Sequence, residues 1–257
     1  MKKQTFLAPI YGLREGLKDP ITLGKSLLIR NTDLLAKEYK AFEDHGLKAN
    51  YHAVLEIDYR YDPNDASEPY PGIAIKVINK IDSALLVFGE GNVGTAAILS
   101  KSKASGFTGF VLSNARPRYE ECLDKKLDKD FVDFYRKFLN AYELRPLAFD
   151  IYRRSRDRFA NNDRTIDSCT VLESIFVPPG EKSKKPFILN GMKILGFNDK
   201  EVKTIDDLIK YRNAIIHADR KKQLKLLSGS RFTHVWFENA FKLIRRILYK
   251  YVECPWN

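Results

Sequence analysis

Leu127-Asp128-Lys129-Asp130-Phe131-Val132-Asp133-Phe134-Tyr135-Arg136-Lys137-Phe138-Leu139-Asn140-Ala141-Tyr142 is the stretch on which the fold turns. Phe131, Phe134, Tyr135, Phe138, Leu139 and Tyr142 recur at spacings of three and four, which lines one face of an α-helix. From Leu127 to the end the chain keeps almost only this helical period. Pro146 kinks or restarts the first helix. Leu147 to Phe159 reads as a second, running into an Asn161-Asn162-Asp163 break. Ile166, Thr170, Val171, Leu172, Ile175 and Phe176 mark a third, stopped by Pro178-Pro179-Gly180. Phe187 to Leu195 is a fourth, ended by Gly196. Thr204-Ile205-Asp206-Asp207 reads as an N-cap with acid in the first turn. It opens a fifth helix through Leu208, Tyr211, Ile215 and Ile216. Phe232 to Tyr251 is a sixth.

Upstream the period changes. Ile21 to Arg30 alternates around Gly24 as one or two short strands, and Asp33 to Phe42 is helical. Tyr51 to Tyr61 alternates strictly with period two, as a half-buried strand does. Asp62 to Gly72 is rich in Pro, Asp, Asn and Ser and reads as a loop. Ile73, Val77, Ile78, Ile81, Leu85 and Phe88 mark an amphipathic helix, and Val93 to Leu99 and Phe107 to Leu112 further strands. The expected class is therefore α+β. A mixed N-terminal domain (residues 1–126) precedes an all-α bundle (residues 127–257), both of normal domain size. There are no internal repeats and no low-complexity tract.

The chain has 257 residues, 44% of them hydrophobic and 30% charged, which suits a normal packed core. Its formal charge of +11 and isoelectric point near 9.4 favour a polyanionic partner, either nucleic acid or an anionic membrane surface. The densest basic groups are Arg153 to Arg158, Lys182 to Lys185, Arg220-Lys221-Lys222 and Arg245-Arg246. Cys122, Cys169 and Cys254 form no CxxC pair, which argues against a disulfide framework or a zinc site and fits a reducing cytosol. The N-terminus lacks an apolar run of signal-peptide length, and no stretch is long and apolar enough to span a bilayer. A cytoplasmic protein with no membrane span, metal or cofactor is the expectation.

The residues that carry chemistry lie in Tyr211-Arg212-Asn213-Ala214-Ile215-Ile216-His217, which holds one of four histidines. Arginine is always charged and built to grip phosphate. Histidine moves protons near neutrality. Asn213 and His217 are four apart and share a helix face. Arg212 lies about 100° round from Asn213, a gap its long arm can bridge. His217 sits near the helix end, where the helix dipole favours a cation. An arginine that pairs with an acid, beside a histidine that caps a helix, would give the same letters.

Two segments carry a family resemblance. Arg212-Asn213-Ala214-Ile215-Ile216-His217 matches R-x(4–6)-H with a polar residue after the arginine. The second runs from Tyr152-Arg153-Arg154-Ser155 through Asp163-Arg164 to Leu172-Glu173-Ser174-Ile175-Phe176. It is similar to the Tyr, Asp-Arg and Leu-Glu-x-Leu/Ile-Phe pattern preceding the motif helix of Apea-like HEPN proteins. Residues 145–252 thus resemble the HEPN superfamily, small all-helical domains of many toxin, phage-defence and CRISPR-associated ribonucleases. The resemblance implies metal-independent RNA cleavage in a homodimer whose two motif helices share one composite site. His217 would be the acid/base for attack by the ribose 2′-OH, Arg212 would neutralise the phosphorane, and Asn213 would orient either. DNA, lacking the 2′-OH, would be spared. The products would be a 2′,3′-cyclic phosphate and a 5′-OH, and the role that of a toxin or antiviral effector with an unidentified antitoxin or regulatory partner. Glu173 would pair with Arg212 or Arg164, either fixing the site or acting as a structural ion pair. Arg153, Arg154, Arg158 and Arg164 are candidate contacts to an RNA backbone, and the Arg153–Arg158 run reads equally as a solvated helix face.

Other readings remain. A non-catalytic HEPN module would bind RNA, nucleotide or a protein partner. Gly89-Glu90-Gly91-Asn92-Val93-Gly94 is a literal G-x-G-x-x-G, and Arg116 would suit an NADP phosphate. Against it, the apolar residues before Gly89 fit a helix from Ile73, no acid ends the next strand, and no further parallel strands follow. A glycine-rich turn between a helix and a strand is expected instead. His45 and His52 lack ligand-like partners, and Trp236, beside His234 and Phe237, reads as a packing anchor or dimer contact.

Overall fold

The computed structural model describes residues 2–13, 17–44, 51, 53–61, 70–91, 93–95, 97–102, 106–111, 123, 125–158, 160–219, 221, 223, 225 and 233–254. His45, His52, Asn92, Arg116, Cys122, Phe159, Arg220, Lys222 and Phe232 lie outside them. The chain divides into two compact units, Met1–Arg136 and Lys137–Asn257.

The first unit is a mainly antiparallel sheet with helices. β1 (Lys2–Tyr11), β2 (Ile21–Leu23), β3 (Ser26–Arg30) and α1 (Ala36–Asp44) are followed by β4 (Ala53–Tyr61), α2 (Tyr70–Phe88), β5 (Gly94–Thr95), β6 (Ala97–Ser102) and β7 (Gly106–Val111). The strand order is β2-β3-β4-β1-β6-β7, with β5 also pairing β1. The architecture is α+β, as the two sequence periods require.

The central strand, β1, carries no period-two signal. Phe6, Leu7, Ala8 and Ile10 are all buried, since both faces of the strand are covered. A strand covered on both faces reads as an apolar run rather than an alternation. Pro9 sits where the pairing of β1 passes from β6, at Leu7↔Leu99, to β5, at Ile10↔Thr95. A residue without an amide hydrogen is tolerated at such a break in the ladder.

The glycine-rich stretch follows a helix and precedes a strand. α2 ends at Phe88, Gly91 turns the chain with φ of 136°, and β5 starts at Gly94. The order helix–turn–strand is the reverse of a dinucleotide fingerprint, so the element that follows the glycines is a strand and not a helix. Asp82 of α2 instead accepts from Thr95 N at 3.2 Å and Thr95 Oγ1 at 3.0 Å, tying the turn's far side to the helix.

The helical second half follows α3 (Lys129–Leu144), in which the division between units falls. Within the first unit Phe131 and Phe134 pack on Phe88, with ring centroids 5.2 and 5.3 Å apart. Within the second, Phe138 meets Phe149 of α4 (Pro146–Ser155) edge-on at 4.9 Å, and Tyr142 Oη donates to Asp150 at 2.9 Å. α5 (Asn161–Phe176), α6 (Lys184–Ile194), α7 (Asp199–Ile216) and α8 (His234–Glu253) complete the bundle. α5 packs on α4, α6, α7 and α8, and α7 on α6 and α8 as well.

Helix boundaries differ from the sequence reading in several places: α1 runs Ala36–Asp44, α2 starts at Tyr70 within the expected loop, α6 starts at Lys184, and three further differences bear on the motif helices. Asn161-Asn162-Asp163 is not a break but the first turn of α5, with Asp163 complementing the positive end of the helix dipole. α7 starts at Asp199, not Thr204. Asn198 accepts from Glu201 N and the Glu201 carboxylate accepts from Asn198 N, both at 3.0 Å, a complete capping box. Thr204 lies inside the helix and bonds back to Lys200 O at 3.0 Å. α4 ends at Ser155, so Arg153 and Arg154 are helical while Arg158 lies beyond.

Candidate active site

α7 carries the Arg212-to-His217 stretch. Its approach is fixed by the turn from α6, where Gly196 takes φ of 76°. Gly196 N donates to Lys193 O at 2.9 Å and Phe197 N to Met192 O at 3.1 Å, the paired bonds of a Schellman motif. Lys250 Nζ of α8 donates to the end carbonyl of Leu195 at 2.9 Å and sits 4.3 Å from the Phe197 ring centroid. Helix start and crossing are thereby set before the candidate residues are reached.

Tyr211 and Arg212 are adjacent but reach opposite ends of α5. Tyr211 Oη donates to Asn162 Oδ1 at 2.8 Å, while Arg212 Nη2 lies 3.2 Å from Glu173 Oε1. Eleven residues of helix span roughly 16 Å, so the two side chains straddle α5 where α7 crosses it. Tyr211 also packs with Phe237 and Phe241 in one aromatic cluster. The backbone of the motif is therefore anchored by a core side chain next door.

The Arg212 guanidinium has a second bond. Nη1 donates to Asn213 Oδ1 at 3.1 Å. This swings the cation toward the Asn213 side of α7, the face His217 shares. Without that swing, five helical steps would set Arg212 and His217 about 140° apart. Arg212 keeps 23% of its side chain exposed, and His217 is exposed. Beneath them Cys169 is buried, and burial pushes its thiol up to about 12, with Arg212 opposing the shift and Glu173 adding to it. The thiol is neutral at physiological pH and offers no nucleophile.

His217 caps the C-terminus of α7, and its N–H donates to Asn213 O at 3.0 Å. The chain leaves the helix through a second Schellman motif. Ala218 N donates to Ile215 O and Asp219 N to Ala214 O, both at 3.0 Å, and Gln223 Nε2 reaches Ala214 O at 2.9 Å. The left-handed position is filled by alanine, with φ of 49°. An L-residue pays about 1 kcal/mol there that glycine does not. Ala218→Gly is expected to raise stability by up to about 1 kcal/mol, offset in part by unfolded-chain entropy. Urea titration checks this. A destabilised glycine variant would mean that unfolded-chain entropy outweighs the relief of strain at this position.

The remaining candidates divide. Glu173 pairs with Arg212 and, at 2.5 Å through Oε2, with Lys184 of α6. Arg164 does not join them. Its guanidinium contacts Glu238 at 2.5 Å and lies 3.9 Å over the Phe241 ring, locking α5 to α8. Arg164 and Glu173 are nine residues apart, on opposite faces of α5 and roughly 13 Å along its axis. Arg158 pairs with Asp167 at 3.3 Å, and Arg154 bonds its own helix at Asp150 O at 3.3 Å. Arg153 is half-buried on α4. Trp236 packs against the Tyr211, Phe237 and Phe241 cluster.

Sequence reasoning missed Lys184, Ala218 and Gln223. Lys182 to Lys185 stands out only as a basic group, because its contact with Glu173 crosses between helices. Ala218 carries no glycine signal for the left-handed cap. Among the described residues no group of three or more His, Cys, Asp or Glu is arranged to hold a metal ion. Among them, too, no helix is long and apolar enough to cross a membrane. Comparison of the chain with protein-family models, curated proteins and solved structures finds no match.

Proposed function

We propose that this chain is a metal-independent endoribonuclease of HEPN type, acting as a homodimer on cytoplasmic RNA in a toxin or phage-defence role. The observation that carries the reading is the Arg212–Asn213 bond of 3.1 Å, which turns the phosphate-gripping cation toward the face of the exposed His217. Glu173 holds the same guanidinium from behind. In the reaction His217 takes the proton of the ribose 2′-OH. The 2′-oxygen bonds to phosphorus as the bond to the 5′-oxygen breaks, and that leaving oxygen gains a proton. Arg212 stabilises the charge that develops on the phosphorane oxygens. Two copies of α7 across one cleft would supply a second His217 for the leaving group.

A non-catalytic RNA- or partner-binding module is the second reading. The Arg212–Glu173 pair favours it to the extent that the pair joins α7 to α5 as a structural clamp. One assay separates the two. In excess EDTA, RNA is expected to be cleaved to fragments ending in 2′,3′-cyclic phosphate and 5′-OH, with the DNA of the same sequence untouched. RNA left whole by the dimeric protein would leave only the binding module.

A further inference from the structure

Glu173 does more than hold Arg212. Its two oxygens take two cations, Arg212 Nη2 at 3.2 Å and Lys184 Nζ at 2.5 Å. Two positive charges therefore meet at one carboxylate and leave a net positive charge there. Of the acids on the adjoining α7, Asp206 is already shared by Lys185 and Lys210, and Asp207 by Lys203 and Lys210. The Lys184 side chain is 45% exposed. Its ammonium has three N–H donors, and Glu173 uses one. The guanidinium fork and the ammonium sit on either side of one carboxylate, within the span of one phosphodiester or two successive ones.

We infer that Arg212 and Lys184 form a single phosphate grip braced by Glu173, and that the backbone of single-stranded RNA lies over α7 and the start of α6. Of the four candidate arginines on α4, α5 and the turn between them, three hold partners away from Glu173, and Arg153 is half-buried on α4. Arg164 is committed to Glu238 and Phe241, Arg158 to Asp167, and Arg154 to a carbonyl of its own helix. The inference rests on the ribonuclease reading only for the choice of RNA as the anion. Lys184 itself is a substrate-binding residue and takes no part in the proton transfers.

The test is binding, without cleavage. The probe is a short fluorescein-labelled 2′-O-methyl oligoribonucleotide, whose blocked 2′-oxygens cannot attack phosphorus, read by anisotropy over a salt series. Lys184→Ala is expected to weaken binding about 5–10-fold and to reduce the slope of log affinity against log salt by about 0.7, one single-strand phosphate contact. Lys184→Arg keeps both. Lys203→Ala removes the same charge nine residues from Arg212, on the opposite face of α7, and leaves both unchanged. A Lys184→Ala chain with wild-type affinity and slope overturns the inference, as does a Lys203→Ala loss of equal size. Wild-type protein that binds the probe through Lys184 yet never cuts unblocked RNA keeps the grip and removes the nuclease reading. Cleavage that persists while Lys184→Ala binds normally does the reverse.

Discussion

On the proposed ribonuclease reading, His217→Ala is expected to leave RNA cleavage about 10²–10⁴-fold below wild type, the usual contribution of a positioned acid/base. The side chain is exposed, and its structural work is done by the backbone, whose N–H still donates to Asn213 O in the variant. The helix end keeps its Schellman bonds through Ala218 and Asp219. Melting is therefore expected to be unchanged, and on the proposed phosphate grip binding of the 2′-O-methyl probe is retained because Arg212 and Lys184 are untouched. Loss of cleavage with retained binding separates proton transfer from phosphate grip. Imidazole added to the alanine chain is expected to restore part of the rate. An alanine variant that cuts as fast as wild type sinks the assignment of His217, whatever the source of the activity.

Gly191→Val destabilises the helical unit by about 3 kcal/mol, the upper range for overpacking a filled core. Gly191 lies on α6 against the ring of Phe176, the last residue of α5. A Cβ there would stand 2.2 Å from Phe176 Cδ1, 2.6 Å from Cε1 and 2.9 Å from Cγ. Cγ is the root of the ring, so rotation about the last torsion cannot clear it, and Phe176 is only 7% exposed. The alanine variant makes the sign decisive. Gly→Ala inside a helix ordinarily stabilises by about 1 kcal/mol. Here the clash outweighs that gain, and a net loss of about 1–2 kcal/mol is expected from urea titration. Phe176→Ala removes every atom from Cγ outward, so in that background Gly191→Ala is expected to cost nothing further, a coupling that a double-mutant cycle reads. A stabilised Gly191→Ala chain would show that α5 and α6 do not meet at this distance. The contact also bears on the site, because α5 carries Glu173 and α6 carries Lys184 near the same junction.

The two halves of the fold differ in how legible they are. α3 and α8 are each buried along one face, so their period survives in the sequence, whereas α2 is buried all round from Ile81 to Phe88 and β4 on both faces from Ala53 to Leu55. At the centre, burial of Phe6, Leu7, Ala8 and Ile10 erases the alternation that would reveal β1. Thr204-Ile205-Asp206-Asp207 imitates the cap of α7, whereas the reciprocal Asn198–Glu201 bonds that start the helix lie six residues earlier. Asp206 instead serves Lys185 and Lys210, whose hydrogen bonds outweigh its desolvation and hold its carboxyl below the usual range.

By itself, the sequence determined the helical period after Leu127, the two-period α+β composition and the spacing that puts Asn213 and His217 on one face of a helix. Those are local properties, written in residues three, four or two apart. Only the tertiary structure decided that Glu173 meets Arg212 and Lys184 rather than Arg164, and that Arg164 is spent on Glu238 and Phe241. Each of these contacts joins different helices, and its existence depends on where α5, α6, α7 and α8 cross. No spacing along one helix encodes a crossing. The charges were visible in the chain, and the packing chose their partners.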